Sequence, residues 1–436
     1  MSGGTLNWTV APGGMPSGSV RVPGDKSISH RSVMLGSLAD GITEVTGFLD
    51  GEDCLCTMKA FQAMGVRIER VTDTSLRVHG VGLHGLKGPA HDLDLGNSGT
   101  SMRLMSGLLA AQRFPTTLIG DASLSRRPMR RVIDPLARMG ARIDSNDGKA
   151  PLRLHPVDGG LTAIDHVSKV ASAQVKSCIL LAGLYANGTT SVTEPETSRD
   201  HTERMLRAFG VEVMSSEGRA AVRGGQRLVG TSIPVPADIS SAAFFLLAAA
   251  IVPGSDLLLR DVGINPTRTG VIDILRAMGA SIGIENPRTF GGEPVADLRV
   301  RGQGLRGIAV DPALVASAID EFPAIFIAAA CADGETRVTG AEELRVKESD
   351  RIQTMVDGLT ALGIEAIGTS DGARIRGGRI GTGQIDSHGD HRVAMSFAMA
   401  ALRADGPIGI LDCANVNTSF PGFARLAATI GVEVSA

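Results

Sequence analysis

The sequence predicts an α/β protein of two domains, each made of three βαβαββ repeats, and three observations carry that expectation. First, a hydrophobic residue, a glycine and a short β-branched or apolar stretch close six amphipathic runs, at Gly65, Gly140, Gly210, Gly279, Gly363 and Gly431, which lie 68 to 84 residues apart. Self-similarity of this kind marks a chain built from copies of one supersecondary unit. Second, each copy opens with a small polar cluster followed by an Ala/Leu/Met-rich run. Third, similar Val-Pro dipeptides, in RVPGDKSIS at Arg21 and PVPADISSA at Pro234, open the first and fourth copies and divide six units into two sets of three.

The polar clusters start the first helix of each unit. They are GDKSIS around Asp25, GNSGTS around Asn97, ASAQVKS around Ser172, ADISSA around Asp238, IDEFPA around Asp320 and GDHRVA around Asp390. Side-chain oxygens of Asp, Asn and Ser accept the first-turn N–H groups that have no partner inside a helix. A glycine turn and a Thr/Val-rich strand follow, most plainly in ADGITEVTG at Ala39, ANGTTSVTE at Ala186 and ADGETRVTG at Ala332. The second helix then runs to the glycine of the repeat motif, where a residue tolerant of positive φ ends it. A last pair of strands includes LRVHG at Leu76, LRLHP at Leu152, LRVRG at Leu298 and ARIRG at Ala373. A residue before proline is biased to extended backbone, which suits a crossing between domains. One domain is therefore expected to span residues 22–236, and the other residues 1–21 together with 237–436.

Composition narrows the function classes. Apolar residues make up 43% of the chain but aromatics only 3%, so few platforms exist on which nucleic-acid bases could stack. The net charge of −3 gives no overall attraction to nucleic acid or anionic membrane. Five cysteines, Cys54, Cys56, Cys178, Cys331 and Cys413, have no CxxC spacing, which argues for reduced thiols rather than a disulfide framework or zinc knuckle. The longest apolar run, residues 242–252, is too short to span a bilayer, and the N-terminal segment does not read as a secretory leader. A cytoplasmic protein is expected. The two GxGxxG matches, Gly80–Gly85 and Gly302–Gly307, sit at equivalent places after LRV and read as turns between strands, because neither precedes a clear helix.

Cations recur at the helix starts: Lys26 and Arg31, Arg103 and Arg127, Lys176, and Arg392, with Lys347 and Arg351 in LRVKESDR. A helix N-terminus carries roughly half a positive charge and exposes N–H donors, so several of them converging would bind small polyanions such as phosphates and carboxylates. DKSISHR lacks the P-loop pattern, so phosphate binding follows without nucleotide hydrolysis. In LSRRPMRR, Arg127 before Pro128 suits bidentate capture of a carboxylate. Asp320 reads either as a helix cap or as a proton-transferring group, and Glu348 either as a surface ion-pair partner or as a second such group. HGDHR offers His388, Asp390 and His391 as metal ligands, but adjacent Asp-His at a helix start converges poorly on one ion, which leaves Arg392 as its useful residue.

Taken together, DKSISHR, GNSGTSMRL, GDASLSRRPM, ASAQVKS, LRVKESDR and GDHRVAMSF resemble the 5-enolpyruvylshikimate-3-phosphate synthases, in order and over nearly the whole chain. ASAQVKS, TSRDHTERM and ELRVKESDR are similar to the bacterial class II form. The resemblance implies the two-domain enolpyruvyl transferase fold, six βαβαββ repeats arranged like an inverse α/β barrel three to a domain, with the active site in the interdomain cleft. It implies transfer of the enolpyruvyl group of phosphoenolpyruvate to the 5-hydroxyl of shikimate 3-phosphate, with release of phosphate and without metal or organic cofactor.

By the same resemblance, Lys26, Ser27, Arg31, Ser172, Ala173, Gln174, Arg199, Asp320 and Lys347 hold shikimate 3-phosphate. Lys26, Asn97, Gly99, Arg127, Gln174, Arg351 and Arg392 hold phosphoenolpyruvate. Asp320 takes the proton of the attacking hydroxyl, and Glu348 with Lys26 delivers one to the methylene carbon or the leaving phosphate. Such a reaction presses mutually repelling anions together, which cationic clamps offset. Where class I carries a second serine, a lysine and an asparagine, this chain has Ala173, Asn417 and Glu343. Gly99 presents no methyl group, so glyphosate is expected to enter and compete with phosphoenolpyruvate. The related UDP-N-acetylglucosamine enolpyruvyl transferases carry a cysteine in the loop that LSRRPM occupies here. Partners are expected to be these small molecules, with no nucleic acid or membrane and a monomeric state.

Overall fold

The structure, a computed structural model, describes residues 6–436. Its contacts separate into two compact units. Unit 1 comprises the N-terminal residues through Pro23 with residues 236–289 and 294–436, and unit 2 comprises residues 24–235 together with the hairpin tip 290–293. Each unit has its own contiguous apolar core.

Unit 2 contains three four-stranded sheets with one shared strand order. In the sheet of the first repeat, Ser232–Pro234 runs parallel to Asp40–Thr46, which pairs antiparallel with Ser75–Val81, itself antiparallel to Arg67–Thr72. The same order holds for Leu93–Asp94, Thr116–Ile119, Lys149–His155 and Arg142–Asn146. It holds again for Asp165–Val167, Thr189–Thr193, Arg219–Arg223 and Val213–Ser216.

Unit 1 repeats the pattern with borrowed strands. Ser17–Val20 supplies the first strand beside Asp256–Gly263 in the fourth repeat, and Trp8–Val10 fills the third position of the sixth, between Ile408–Leu411 and Val434–Ser435. In the fifth repeat two isolated parallel bridges, Arg306 to Asp333 and Ala309 to Arg337, stand in place of the first strand. The units are thus not contiguous in sequence: Ser17–Val20, which precedes the first helix, belongs to the fourth sheet, and Ser232–Pro234, which precedes the seventh, belongs to the first. Local pattern reads a strand but not its distant partner, because any extended segment of the right alternation fits any open edge.

The first helices of the six units are the most buried. Every residue of Ile239–Ile251 and of Phe322–Ala330 is buried, as expected of helices apolar on all sides. Small residues set how closely they approach. A Cβ on Gly107, within the helix Gly99–Leu109, would lie 2.0 Å from the carbonyl oxygen of Cys178 in the helix Ala173–Gly183. The six glycines of the repeat motif all have φ between +84° and +104°, so each takes the left-handed conformation that stops the second helix. Gly80–Gly85 covers a strand end and a turn, and Gly302–Gly307 follows the strand Glu293–Arg301 as irregular backbone; neither runs directly into a helix.

The caps hold at five of six first helices, with one change of residue. Asp25, Ser172, Asp238 and Asp390 accept from first-turn N–H groups as read. In the second unit Ser98 rather than Asn97 caps, accepting from Ser101 N–H at 3.1 Å. The fifth helix starts at Phe322 with no side-chain cap. Its proline at the second position removes an N–H that would otherwise need one, and Asp320 is left for other contacts.

Candidate active site

In unit 2 the chemistry-bearing side chains sit on the first turns of three helices, Lys26–Leu38, Gly99–Leu109 and Ala173–Gly183, and on the turn that carries Arg127. Lys26 Nζ is 2.9 Å from an Asp53 oxygen. Arg127 donates to the Asn97 carbonyl at 2.8 Å, and the Asn97 amide donates to Asp121 at 2.7 Å. Gln174 bridges two helices, accepting from Arg103 at 2.7 Å and donating to the Thr100 hydroxyl at 2.9 Å. A Cβ on Gly99 would stand 2.9 Å from Arg103 Nη1 and 3.0 Å from Arg127 Nη1, so both guanidinium tips border this glycine.

Arg31 is fully enclosed and donates to the Thr202 hydroxyl at 2.7 Å, the Ser177 hydroxyl at 2.8 Å and the Ser27 carbonyl at 3.0 Å. Burial pulls its pKa down to about 10, with Glu203 and Asp25 opposing and Arg199 reinforcing the shift, and it stays protonated at neutral pH. Beneath the helix starts, His30 Nδ1, Thr57, Ser101 and Ser98 form a buried polar chain with links of 2.6 to 3.3 Å. Burial, then the positive charge of Lys26 and Arg31, hold the His30 pKa well below its ordinary value, so that imidazole is neutral.

In unit 1 the arrangement is a cluster of ion pairs. Asp320 Oδ1 lies 3.4 Å from both Lys347 Nζ and Arg351 Nη1, and its backbone carbonyl accepts from Arg392 at 2.9 Å. Arg351, at the start of the helix Arg351–Ala361, is among the most deeply buried large side chains. It contacts Glu348 at 2.6 Å and Asp390 at 2.8 Å in addition to Asp320. Burial lowers its pKa, but Asp390, Glu348 and Asp320 outweigh burial and leave it raised. Asp390 is the mirror case: burial raises its pKa, yet Arg351 holds the carboxyl below the usual range. Arg392 Nη1 is also 3.5 Å from Glu321, a buried carboxylate that accepts from Ser240.

The structure adds partners to residues that the sequence placed at helix starts and departs from expectation at others. Asp390 caps the helix His391–Ala400, as its position implied, and is also engaged with Arg351. No group of three or more His, Cys, Asp or Glu residues suited to a metal occurs among the described residues. Lys176 does not face outward as a polyanion-binding cation; its ammonium is buried between Glu194 at 3.2 Å and Glu203 at 2.9 Å. Ala173 is the first residue of its helix, Glu343 lies in the short turn Glu342–Val346, and Asn417 is exposed in the turn Ala414–Thr418. The neighbouring Asn415 ties that turn to Gly389 at 2.8 Å. Asp53, Asp121, Glu194 and Glu321 escaped sequence reading, since each acts through a partner remote along the chain. Arg103, already among the helix-start cations, lies four residues after Gly99 on one helix face.

The EPSP synthase family, 3-phosphoshikimate 1-carboxyvinyltransferase, matches residues 10–426. The chain belongs to this family. It is 66% identical over 430 residues to the 3-phosphoshikimate 1-carboxyvinyltransferase of Methylococcus capsulatus, covering 98% of each chain. It is 62% identical over 434 residues to that of Alkalilimnicola ehrlichii, covering 99% of this chain and 97% of the other. Among solved structures, an EPSP synthase from Acinetobacter baumannii superposes with a TM-score of 0.89 at 54% identity, covering 99% of this chain and all of that one. The family and its fold are therefore those anticipated from the motifs. No helix among the described residues is long and apolar enough to cross a membrane.

Proposed function

We infer that this EPSP synthase family member is a 3-phosphoshikimate 1-carboxyvinyltransferase, which moves the enolpyruvyl group of phosphoenolpyruvate onto the 5-hydroxyl of shikimate 3-phosphate and releases phosphate. The observation that carries the reading is the family match along almost the full chain, joined by the chemistry of the two half-sites. In unit 2, Lys26, Ser27, Arg31, Ser172, Ala173, Gln174 and Arg199 are assigned to shikimate 3-phosphate, and Asn97, Gly99 and Arg127, with Lys26 and Gln174, to phosphoenolpyruvate. Their guanidinium and helix-start donors suit phosphate and carboxylate oxygens. In unit 1, Asp320 and Lys347 are assigned to the acceptor sugar, and Arg351 and Arg392 to the donor.

Asp320 then accepts the proton of the 5-hydroxyl as its oxygen attacks C2 of phosphoenolpyruvate, and Glu348 with Lys26 supplies a proton to the methylene carbon. The tetrahedral adduct formed in this way loses a methyl proton and phosphate to give the enol ether. Mixing the purified protein with both substrates and assaying phosphate tests the assignment: release that requires both is expected, and none from the pair would remove it.

Glyphosate is proposed as a competitor of phosphoenolpyruvate at Gly99. A methyl group there crowds Arg103 and Arg127, so Gly99→Ala is expected to weaken glyphosate by about tenfold or more, for a cost of about 1.4 kcal/mol. Equal inhibition of both proteins would refute this. The reading also has both half-sites act on one pair of substrates, in a monomer working in the reducing cytoplasm, where the five free cysteines persist. Small-angle scattering should report a monomer that becomes more compact with shikimate 3-phosphate; an unchanged radius of gyration counts against closure.

A further inference from the structure

The helix Ala173–Gly183 begins with an unusual debt. In a capping box the N–H of the N-cap residue is satisfied by a Glu or Gln three positions on. Here the N-cap is Ser172 and the residue three positions on is Val175, which has nothing to offer. The missing acceptor comes from Glu194, just past the strand Thr189–Thr193. One of its oxygens accepts the Ser172 N–H at 2.7 Å, and the other accepts the Ser198 hydroxyl at 2.6 Å.

The same carboxylate is balanced from below. Lys176 Nζ, one turn into the helix, is 3.2 Å from the second Glu194 oxygen, donates to the Ser198 carbonyl at 3.2 Å and pairs with Glu203 at 2.9 Å. The side chains of Lys176, Glu194 and Glu203 are 5%, 2% and 3% exposed, so this brace is inside the protein and not a surface pair. The Glu194 backbone N–H is fixed in turn to the Gly218 carbonyl at 2.7 Å.

We propose that Glu194 is a positioning residue for shikimate 3-phosphate, fastening the helix start at Ser172 to the Ser198–Arg199 turn so that both face one ligand at a fixed spacing. This rests on the assignment of Ser172, Gln174 and Arg199 to that substrate. A bare carboxylate behind a phosphate site would repel the ligand. Lys176, shared with Glu203, offsets part of the charge of Glu194 there, while hydrogen bonds to a charged group hold the two segments more firmly than neutral ones.

The test compares the full-length wild type with Glu194→Ala, Glu194→Gln and Ser198→Ala by calorimetric titration of shikimate 3-phosphate and by steady-state kinetics in both substrates. Glu194→Ala is expected to raise the Kd and KM for shikimate 3-phosphate about tenfold, the scale of one lost charge-assisted hydrogen bond, while the KM for phosphoenolpyruvate stays within about twofold. Glu194→Gln, which keeps the acceptor for Ser172, should recover part of the loss.

An unchanged Kd in a folded Glu194→Ala protein, or a parallel rise in both KM values, overturns the proposal. If Glu194→Ala does not fold, Ser198→Ala removes one of the two bonds alone. It should raise the Kd for shikimate 3-phosphate by about threefold, and no rise overturns the proposal equally. A wild type that binds no shikimate 3-phosphate and releases no phosphate would instead remove the functional reading, a result distinct from an active wild type with an indifferent Glu194→Ala.

Discussion

The two units share one repeat and one strand order, yet the guanidiniums at their helix starts meet different kinds of acceptor. In unit 2 the acceptors that orient Arg31, Arg103 and Arg127 include hydroxyls, amides and backbone carbonyls, those of Thr202, Ser177, Gln174 and Asn97 among them. A neutral acceptor fixes a guanidinium without cancelling its charge, which suits the capture of anions. In unit 1 the acceptors of Arg351, Lys347 and Arg392 are mostly carboxylates, those of Asp320, Glu348, Asp390 and Glu321, with the Asp320 backbone carbonyl also accepting from Arg392. Charge is balanced there, and carboxylate oxygens are held where protons can be exchanged. On the proposed assignment both units would bind anions and unit 1 would add the carboxylates that exchange protons, the difference lying in which residues occupy the same first turns.

The sharpest way to break this contrast is at Asp320. Asp320→Asn keeps the size of the side chain and removes its capacity to accept a proton, so kcat should fall by about 10²–10⁴ with a much smaller change in the KM for phosphoenolpyruvate. A kcat within threefold of wild type would deny unit 1 its proton-handling part.

Next in size is Asp390→Asn, which strips one carboxylate from a buried guanidinium. Loss of about 3 kcal/mol is expected, the lower part of the range for a broken buried pair, because Glu348 and Asp320 remain. The chain has one tryptophan and one tyrosine, Trp8 in the unit 1 core and Tyr185 packed against the unit 2 core. Urea unfolding followed by Trp8 fluorescence should therefore show the loss while the tyrosine signal moves less. Equal shifts of both would mean that the units do not unfold separately.

The smallest effect is on acid stability, which falls with pH in both units but from a different onset. His30 has a folded pKa well below its ordinary value, so the folded state binds fewer protons than the unfolded one. Its contribution to unit 2 is complete above about pH 6.5 and declines as pH falls from there, by at most about 1.4 kcal/mol per pH unit. Asp390 has a lowered folded pKa, so its contribution to unit 1 is retained down to about pH 4, the unfolded value, and is lost only below it. On acidification the Tyr185 transition should move first; a Trp8 transition that leads would reverse the assignment.

Much of this was legible in the residues. Six glycines at regular spacing announced six helix ends, and all six have the left-handed φ that this role requires. The polar clusters announced helix starts because capping is a contact of neighbours two or three residues apart. What stayed hidden was non-local. The Val-Pro crossing groups residues 1–21 with residues 237–436, but nothing around Ser17–Val20 says which strand there it joins or in what register, since its pairing with Asp256–Gly263 depends on a partner more than two hundred residues away. Carboxylates were hard for the same reason. Asp390 is legible as a helix cap and becomes a counter-ion only when Arg351, 39 residues earlier, is placed beside it. Lys176 looked like a solvent-facing cation until two glutamates were folded over it.

The strand Trp8–Val10 has a consequence for how the polypeptide is made. It pairs on one side with Ile408–Leu411 and on the other with Val434–Ser435, whereas the sheets of unit 2 draw only on residues between 40 and 234. During synthesis unit 2 can complete its core on the ribosome, as domains generally fold in the order in which they emerge. The early segment meanwhile waits, unpaired, for neighbours translated more than four hundred codons later. An apolar strand left exposed for that long is an open edge for misassembly, and a nascent-chain chaperone would find it there.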